Sequence, residues 1–377
     1  MTRGRIRERG ISFEEISLLP GTETVDPADV VLEQNYWGKV LSIPFLASAM
    51  DSVVNRSFAK VLAELGGIAV LNLQGLHCRY ENPEEAYEKI LGAGDEEATR
   101  RIQEIYARPV QPELIQRRIA EWKKEGIPCA VSLTPAGALN WGKIAQDAGA
   151  EVLFLQSTVT SPRHYSSRNQ MLDIGAFIRS LDIPVVVGNC VSGEVAYEFF
   201  QRGAAGILVG IGPGAACTTR LVTGVGLPQA SAVLSVAYAR DVFYEKTGVY
   251  VPVICDGGMR TGGDVAKALA CGADLVMMGA VFARCREAGG GGYHWGMATA
   301  DPTLPRGTRI FVGRETTVKE LLLGPSSTSD GTLNLVGAVK NSMGLCGAKT
   351  LAEFHRISLS FSPALPSEGR YYQWRNR

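Results

Sequence analysis

The segment GIGPGAACTTR, residues 210–220, sets one thiol, Cys217, directly behind glycines at 210, 212 and 214. Glycines so spaced let the backbone take unusual dihedrals and approach a ligand or ion closely. A cysteine in such a loop, near a helix start and Arg220, has surroundings that favour the nucleophilic thiolate. The same residues also fit a buried thiol beside a tight turn, and the pattern alone leaves both readings open. Thr218 and Thr219 add hydroxyls that either relay a proton or cap the next helix. A second concentration is CDGGMRTGGDVAKALACGADLVMMGA, residues 255–280. An apolar run ends at Asp256, Gly257 and Gly258 offer bare backbone N–H groups, and the next run ends at Gly279 and Ala280. Asp256 could accept hydrogen bonds from ribose hydroxyls or cap a helix. Asn189, closing PVVVGN, could contact a base or order the cysteine loop, although Asn at a strand end is commonly turn chemistry.

These groups need a scaffold that brings strand ends together. Eight apolar runs fall at 43–50, 68–72, 128–133, 150–157, 184–189, 206–211, 252–257 and 274–279. They are continuous rather than alternating, which suits strands covered on both faces in a parallel sheet. Helical stretches separate them, for example 54–65, 136–148, 193–202, 228–246 and 262–271. The repeat predicts an α/β fold, a (β/α)8 TIM barrel with its chemistry on the loops behind the strands, over an open doubly wound sheet. Paired glycine loops behind the last two strands are the recurring phosphate cradle of that architecture. Three segments depart from the repeat. Residues 78–126 are polar and predict helices outside the barrel; 286–310 read as a mobile lid; the tail 359–377 reads as an exposed arm. No composition shift divides the chain, so one catalytic domain over 1–377 is expected.

Composition narrows the function. The 377 residues carry 38 Lys+Arg against 38 Asp+Glu, which argues against a basic nucleic-acid-binding surface. No apolar run approaches the ~20 residues that span a bilayer, and no signal-peptide core follows the basic start. The eight cysteines lack paired CxxC spacing, and several sit inside apolar runs, so a reducing cytoplasm is the expected setting. Four scattered histidines make a metal hydrolase a poor fit.

In this order the motifs resemble the IMP dehydrogenase/GMP reductase family. SFEEISLLPG (12–21), SAMDSV, GNCVSGEVA, GIGPGAACTTR, TGVGLPQASAV, the DGGMR segment, GMAT and MGLCGAKTL follow in family order from about residue 10 to 355. The insertion at 78–126 is far too short for paired CBS modules, so the resemblance implies a core-only member. It implies a purine-nucleotide site and a homotetramer or homo-octamer. Cys217 would attack C2 of the purine, with Thr219 in the proton network. Asp256 would bind ribose. Gly258 and Gly279 would bind phosphate and Met297 the base, and Asn189, Gly214, Ala215, Gly257, Ala280, His294 and Gly296 would complete the substrate site. Ser48, Met50, Gln156, Ser157, Thr158, Gly210 and Gly212 would face NAD. The backbone of Gly212, Gly214 and Cys217 would hold a monovalent cation, K+.

The departures from the family pattern are specific. Family serines that hold phosphate correspond to Ala215 and Ala280, so backbone N–H groups or His294 and Tyr293 must compensate. Gln156 replaces an acidic residue. The lid lacks the Arg-Tyr pair that activates water, which leaves Arg306 or Arg309 for that step. The preferred reading is an IMP dehydrogenase using NAD+. The alternatives are a GMP reductase, toward which GEVA and Thr223 lean, and a non-catalytic purine-nucleotide-binding paralogue, toward which the missing serines lean.

Overall fold

A computed structural model describes residues 9–165, 167, 172–296 and 309–361. Eight short parallel strands close into a barrel: β1 (Phe45–Ala47), β2 (Ile68–Asn72), β3 (Ala130–Leu133), β4 (Val152–Gln156), β5 (Val185–Cys190), β6 (Gly206–Val209), β7 (Val253–Asp256) and β8 (Leu275–Met278). Each strand pairs with its sequence neighbour, and β8 closes on β1 through Val276 with Phe45 and Met278 with Ala47. Seven lie within the predicted runs, and β5 extends one residue beyond its run, to Cys190. The architecture is the (β/α)8 barrel that the repeat predicts.

The strands read as unbroken apolar runs because both faces are covered. Leu46, Val70, Phe154, Val186, Leu208, Ile254 and Met277 fill the barrel interior, while the alternate residues pack under the helices. A two-residue turn with left-handed Trp37 (φ 57°) and Gly38 (φ 70°) joins strands Gln34–Tyr36 and Lys39–Leu41. That hairpin packs against the barrel interior: Trp37 meets Phe154 edge-on and donates Nε1–H to Ala205 O at 2.7 Å.

The three departing segments differ from expectation in instructive ways. Helices Glu84–Leu91, Asp95–Tyr106 and Pro112–Lys124 fill the insertion. The third buries Ile115, Ile119 and Trp122 in the main core and serves as the barrel helix between β2 and β3. The first two bury Tyr87, Ile90, Ile102, Ile105 and Tyr106 against Trp295, so they pack over the mouth. The predicted lid also divides. Strand Tyr293–Trp295 pairs with Arg309–Phe311, and Gly290 donates to Ser52 O at 3.0 Å, so 286–296 are anchored to the barrel. Residues 297–308 lie outside those described. The tail begins as a strand, Leu359–Phe361, paired antiparallel with Ile16–Leu18. Its later residues are likewise not described. Among the described residues no helix is long and apolar enough to cross a membrane.

Candidate active site

A cavity of about 690 Å³ opens at the C-terminal ends of the strands, and residues behind all eight strands line it. Cys217 is exposed there, whereas the other seven cysteines are buried. Burial pushes the thiols of Cys78, Cys129, Cys190 and Cys271 up to about 12, which holds them protonated and inert. Cys217 donates its S–H to Thr219 Oγ1 at 3.2 Å. The two open readings of the loop thus separate: the thiol faces solvent, and a hydroxyl sits beside it.

Arg220 sets the loop's shape rather than contacting the sulfur. Its Nε donates to Ile211 O at 2.9 Å and its Nη2 to Leu227 O, so one guanidinium staples both arms. Gly212 must be glycine, because φ is +76° and a Cβ would stand 2.5 Å from Arg220 Cγ. Gly210 abuts the next strand, where a Cβ would meet Asp256 O at 2.4 Å. Cys217 N donates to Gly214 O at 3.0 Å. Ala215 lines the cavity between them.

Asp256 ends β7 and faces the cavity. It accepts from Asn189 Nδ2 at 2.7 Å and, more weakly, from Gln156 Nε2 at 3.5 Å. A register shift between Gly188 and Cys190 turns Asn189 toward it. Burial raises the Asp256 carboxyl to about 6, opposed by the Asn189 hydrogen bond, so it is ionised at neutral pH. An ionised carboxylate held by amides is an acceptor for a diol.

Beyond Asp256 the rim is bare backbone. Gly258 (φ +85°) lines the cavity, while Gly257 N–H is committed to Met277 O at 3.0 Å. Gly257 therefore shapes the turn and does not supply a free donor. Gly279 and Ala280 continue the rim, with His294 behind them: a Cβ on Gly279 would lie 3.2 Å from His294 Cε1. His294 bonds Ser52 Oγ through Nδ1 at 3.0 Å, and burial lowers its pKa to about 4, so its imidazole is neutral. Of the two residues expected to replace the serines, only His294 lines the cavity. Tyr293 instead meets Phe311 edge-to-face, with the Arg309 guanidinium 4.2 Å from its ring centre.

The remaining predicted residues divide as follows. Ser48, Met50, Gln156, Ser157, Thr158 and Gly296 line the same cavity. Met297 and Arg306 lie outside the described residues. Arg309 corrects the expectation of a water-activating role. Its side chain is 2% exposed and donates to Ile90 O, Leu91 O and Ala93 O, with an ion pair to Asp95 at 2.9 Å. Those bonds pin the insertion helices to the hairpin, so the guanidinium is spent on structure. Sequence reasoning missed Gln74, Arg79 and Thr134, which form the opposite wall. The available signal was position: Arg79 follows the end of β2 by seven residues, but it fell inside a segment assigned outside the barrel.

Comparison with known proteins places the chain in a family. The family model described as "IMP dehydrogenase / GMP reductase domain" matches residues 10–300. An uncharacterized oxidoreductase of Mycobacterium leprae is 35% identical, over 95% of this chain and 98% of the relative. An inosine-5'-monophosphate dehydrogenase of Cryptosporidium parvum is 31% identical, over 75% of this chain and 70% of its own. The crystal structure of an IMP dehydrogenase/GMP reductase-like protein from Corynebacterium glutamicum superposes with a TM-score of 0.90 at 32% identity, covering 96% of this chain and 97% of that one. The chain belongs to the IMP dehydrogenase/GMP reductase family of oxidoreductases.

Proposed function

We propose that this oxidoreductase is an IMP dehydrogenase that converts IMP, NAD+ and water to XMP and NADH through a covalent intermediate on Cys217. The observation that carries the reading is one exposed thiol, beside a hydroxyl, in the same cavity as a half-buried carboxylate and a glycine rim. The named relative supports the dehydrogenase direction.

The residues divide the work. Backbone N–H groups of Gly258, Gly279 and Ala280 receive the 5′-phosphate, with neutral His294 beside them. Asp256, held by Asn189 and Gln156, accepts the ribose hydroxyls. That grip presents C2 of the purine to Cys217. The thiolate adds to C2, and Thr219 Oγ1 takes up the S–H proton for release at the exposed rim. Loss of hydride from C2 leaves a thioimidate; water then adds to C2 and the thiolate departs, giving XMP.

The cavity fits a nicotinamide dinucleotide, because its volume lies in the upper half of the usual ~300–1,000 Å³ range for ligand sites and its wall continues past the nucleotide end to Ser48, Gln156, Ser157 and Thr158. NAD+ bound there supplies the hydride acceptor. Gln156 suits that wall as a neutral amide that donates to Asp256 and accepts from Ser132 Oγ at 3.4 Å. For K+, the fit lies in the cysteine loop: among the described residues the Gly212 and Cys217 carbonyls accept no hydrogen bond and are open to a cation.

The test is absorbance at the NADH band with purified protein, IMP and NAD+, with and without K+. The reading predicts NADH and XMP in equal amounts and faster turnover with K+. NADPH oxidation by GMP with ammonia release would make the protein a reductase. Nucleotide binding without turnover in either direction would make it a non-catalytic paralogue. Sedimentation of the same sample tests the expected tetramer or octamer.

A further inference from the structure

The wall across the mouth from Cys217 carries a cation that neither the motifs nor the mechanism uses. Arg79 follows β2, and β2 and β6 lie four positions apart in the closed ring of eight, on opposite sides of the barrel. Arg79 lines the cavity. Two bonds fix it: Nε donates to Gln74 O at 2.7 Å and Nη1 to Arg108 O. Its side chain also lies against the Tyr106 ring, 6.0 Å from the centroid. Among the described residues it makes no ion pair within 4.0 Å, and its main charge partner is the Asp51 carboxylate. The nearest carboxylate, Asp51, is buried and already accepts the Tyr106 O–H at 2.5 Å. Burial lowers the guanidinium's pKa and the Asp51 carboxylate offsets this only in part, so a bound anion would relieve the remaining desolvation cost.

The neighbouring helix start is not itself the anion site. Thr134 N donates to Gln74 Oε1 at 2.6 Å, and Gly137 N to Thr134 Oγ1 at 3.1 Å, so two of the donors there are already bonded. Arg79 is also badly placed for the reacting carbon, which must lie next to Cys217 on the far side. An elongated ligand with one end at the cysteine would bring its distal anion to this wall. The mononucleotide's phosphate belongs at the Gly258–Gly279 rim, which leaves the diphosphate of the second reactant.

We infer that Arg79, delivered by the insertion, binds the diphosphate of the dinucleotide cosubstrate and sets its affinity. The inference rests on the dehydrogenase reading. It assigns the insertion a share of the active site.

The test uses the 377-residue chain and its variants Arg79→Gln and Arg79→Lys. Steady-state kinetics give KM for NAD+ and for IMP separately, and calorimetry measures ADP-ribose, which keeps the diphosphate and lacks nicotinamide. Arg79→Gln is expected to raise the KM for NAD+ by about 10- to 100-fold, the loss typical of one charge-assisted bond. ADP-ribose binding should weaken in parallel, Arg79→Lys should recover part of both, and KM for IMP should stay within about twofold of wild type. Unchanged NAD+ and ADP-ribose affinity in Arg79→Gln overturns the assignment. So does equal loss of IMP and NAD+ affinity with a lowered Tm, which is the mark of a structural role. Failure of the parent reading looks different: the wild type itself then makes no NADH from IMP.

Discussion

The two sides of the cavity are built by different means. On the β5–β8 side, short loops follow the strands directly, and the cavity is lined by glycine backbone, one thiol and one carboxylate. Gly210, Gly212 and Gly258 each take a left-handed or near-left-handed φ that only glycine adopts without strain. On the β1–β3 side the wall is long side chains, held by a layer of buried polar contacts. Tyr106 O–H donates to Asp51 and accepts Trp295 Nε1–H at 3.0 Å; Tyr87 O–H donates to Asp51 O at 2.7 Å. A backbone-built wall demands particular residues at fixed spacing, so it writes a motif. A wall built from packing leaves only amphipathic helices behind.

The comparison predicts a graded set of effects. On the backbone-built side, Cys217→Ser should lower NADH formation by about 10³-fold or more, as removal of a catalytic nucleophile does, while IMP binding measured by calorimetry persists. Retained turnover would take covalent chemistry away from this side. Asp256→Asn should weaken IMP binding by about 10- to 100-fold through loss of charged hydrogen bonds. Because burial raises the Asp256 carboxyl from 3.8 to about 6, wild-type IMP affinity should fall as pH drops through about 6, and the variant should flatten that profile. The stability sign is opposite. The folded apo-protein keeps a proton on Asp256 that the unfolded chain has lost, so this group's contribution is full below its unfolded pKa and fades as pH rises through about 6.

On the packing-built side the effects should appear in stability first. Arg309→Ala removes three carbonyl contacts and the Asp95 pair from a buried guanidinium. It should cost about 3 kcal/mol, read as a drop in Tm. A large kcat loss with unchanged Tm would return Arg309 to the chemistry. The smallest effect is Tyr106→Phe, about 1 kcal/mol at neutral pH. Its hydrogen bond holds the Asp51 carboxyl down against burial, which otherwise raises it, to about 6 in the intact protein. The loss should therefore be greater at pH 7.5 than at pH 5, where the folded protein's carboxyl is largely protonated. Equal loss at both pH values would show that the bond does not discriminate ionised Asp51.

What the sequence made legible follows the same division. All eight strands were readable because each is a continuous apolar run covered on both faces, and the barrel follows from their serial repeat. That the thiol, Asp256 and the glycine rim share one cavity was readable because backbone geometry forces their spacing. Gly257 was over-read, since no pattern reveals that its N–H already bonds Met277. Arg309 was misplaced because a lone arginine after a Gly-rich stretch carries no sign of the carbonyls that surround it. The third insertion helix was counted as decoration because its apolar positions, Ile115, Ile119 and Trp122, were masked by charged neighbours. Arg79 went unseen because its cavity position depends on Gln74 and Arg108, contacts that only folding creates.

The most direct measurement is intact-protein and peptide mass spectrometry of enzyme quenched during turnover of IMP with NAD+. The account predicts a purine-nucleotide adduct on the peptide containing Cys217 and on no other cysteine peptide, absent when NAD+ is withheld. NADH formation with no adduct on Cys217, or with the adduct on another residue, would contradict it.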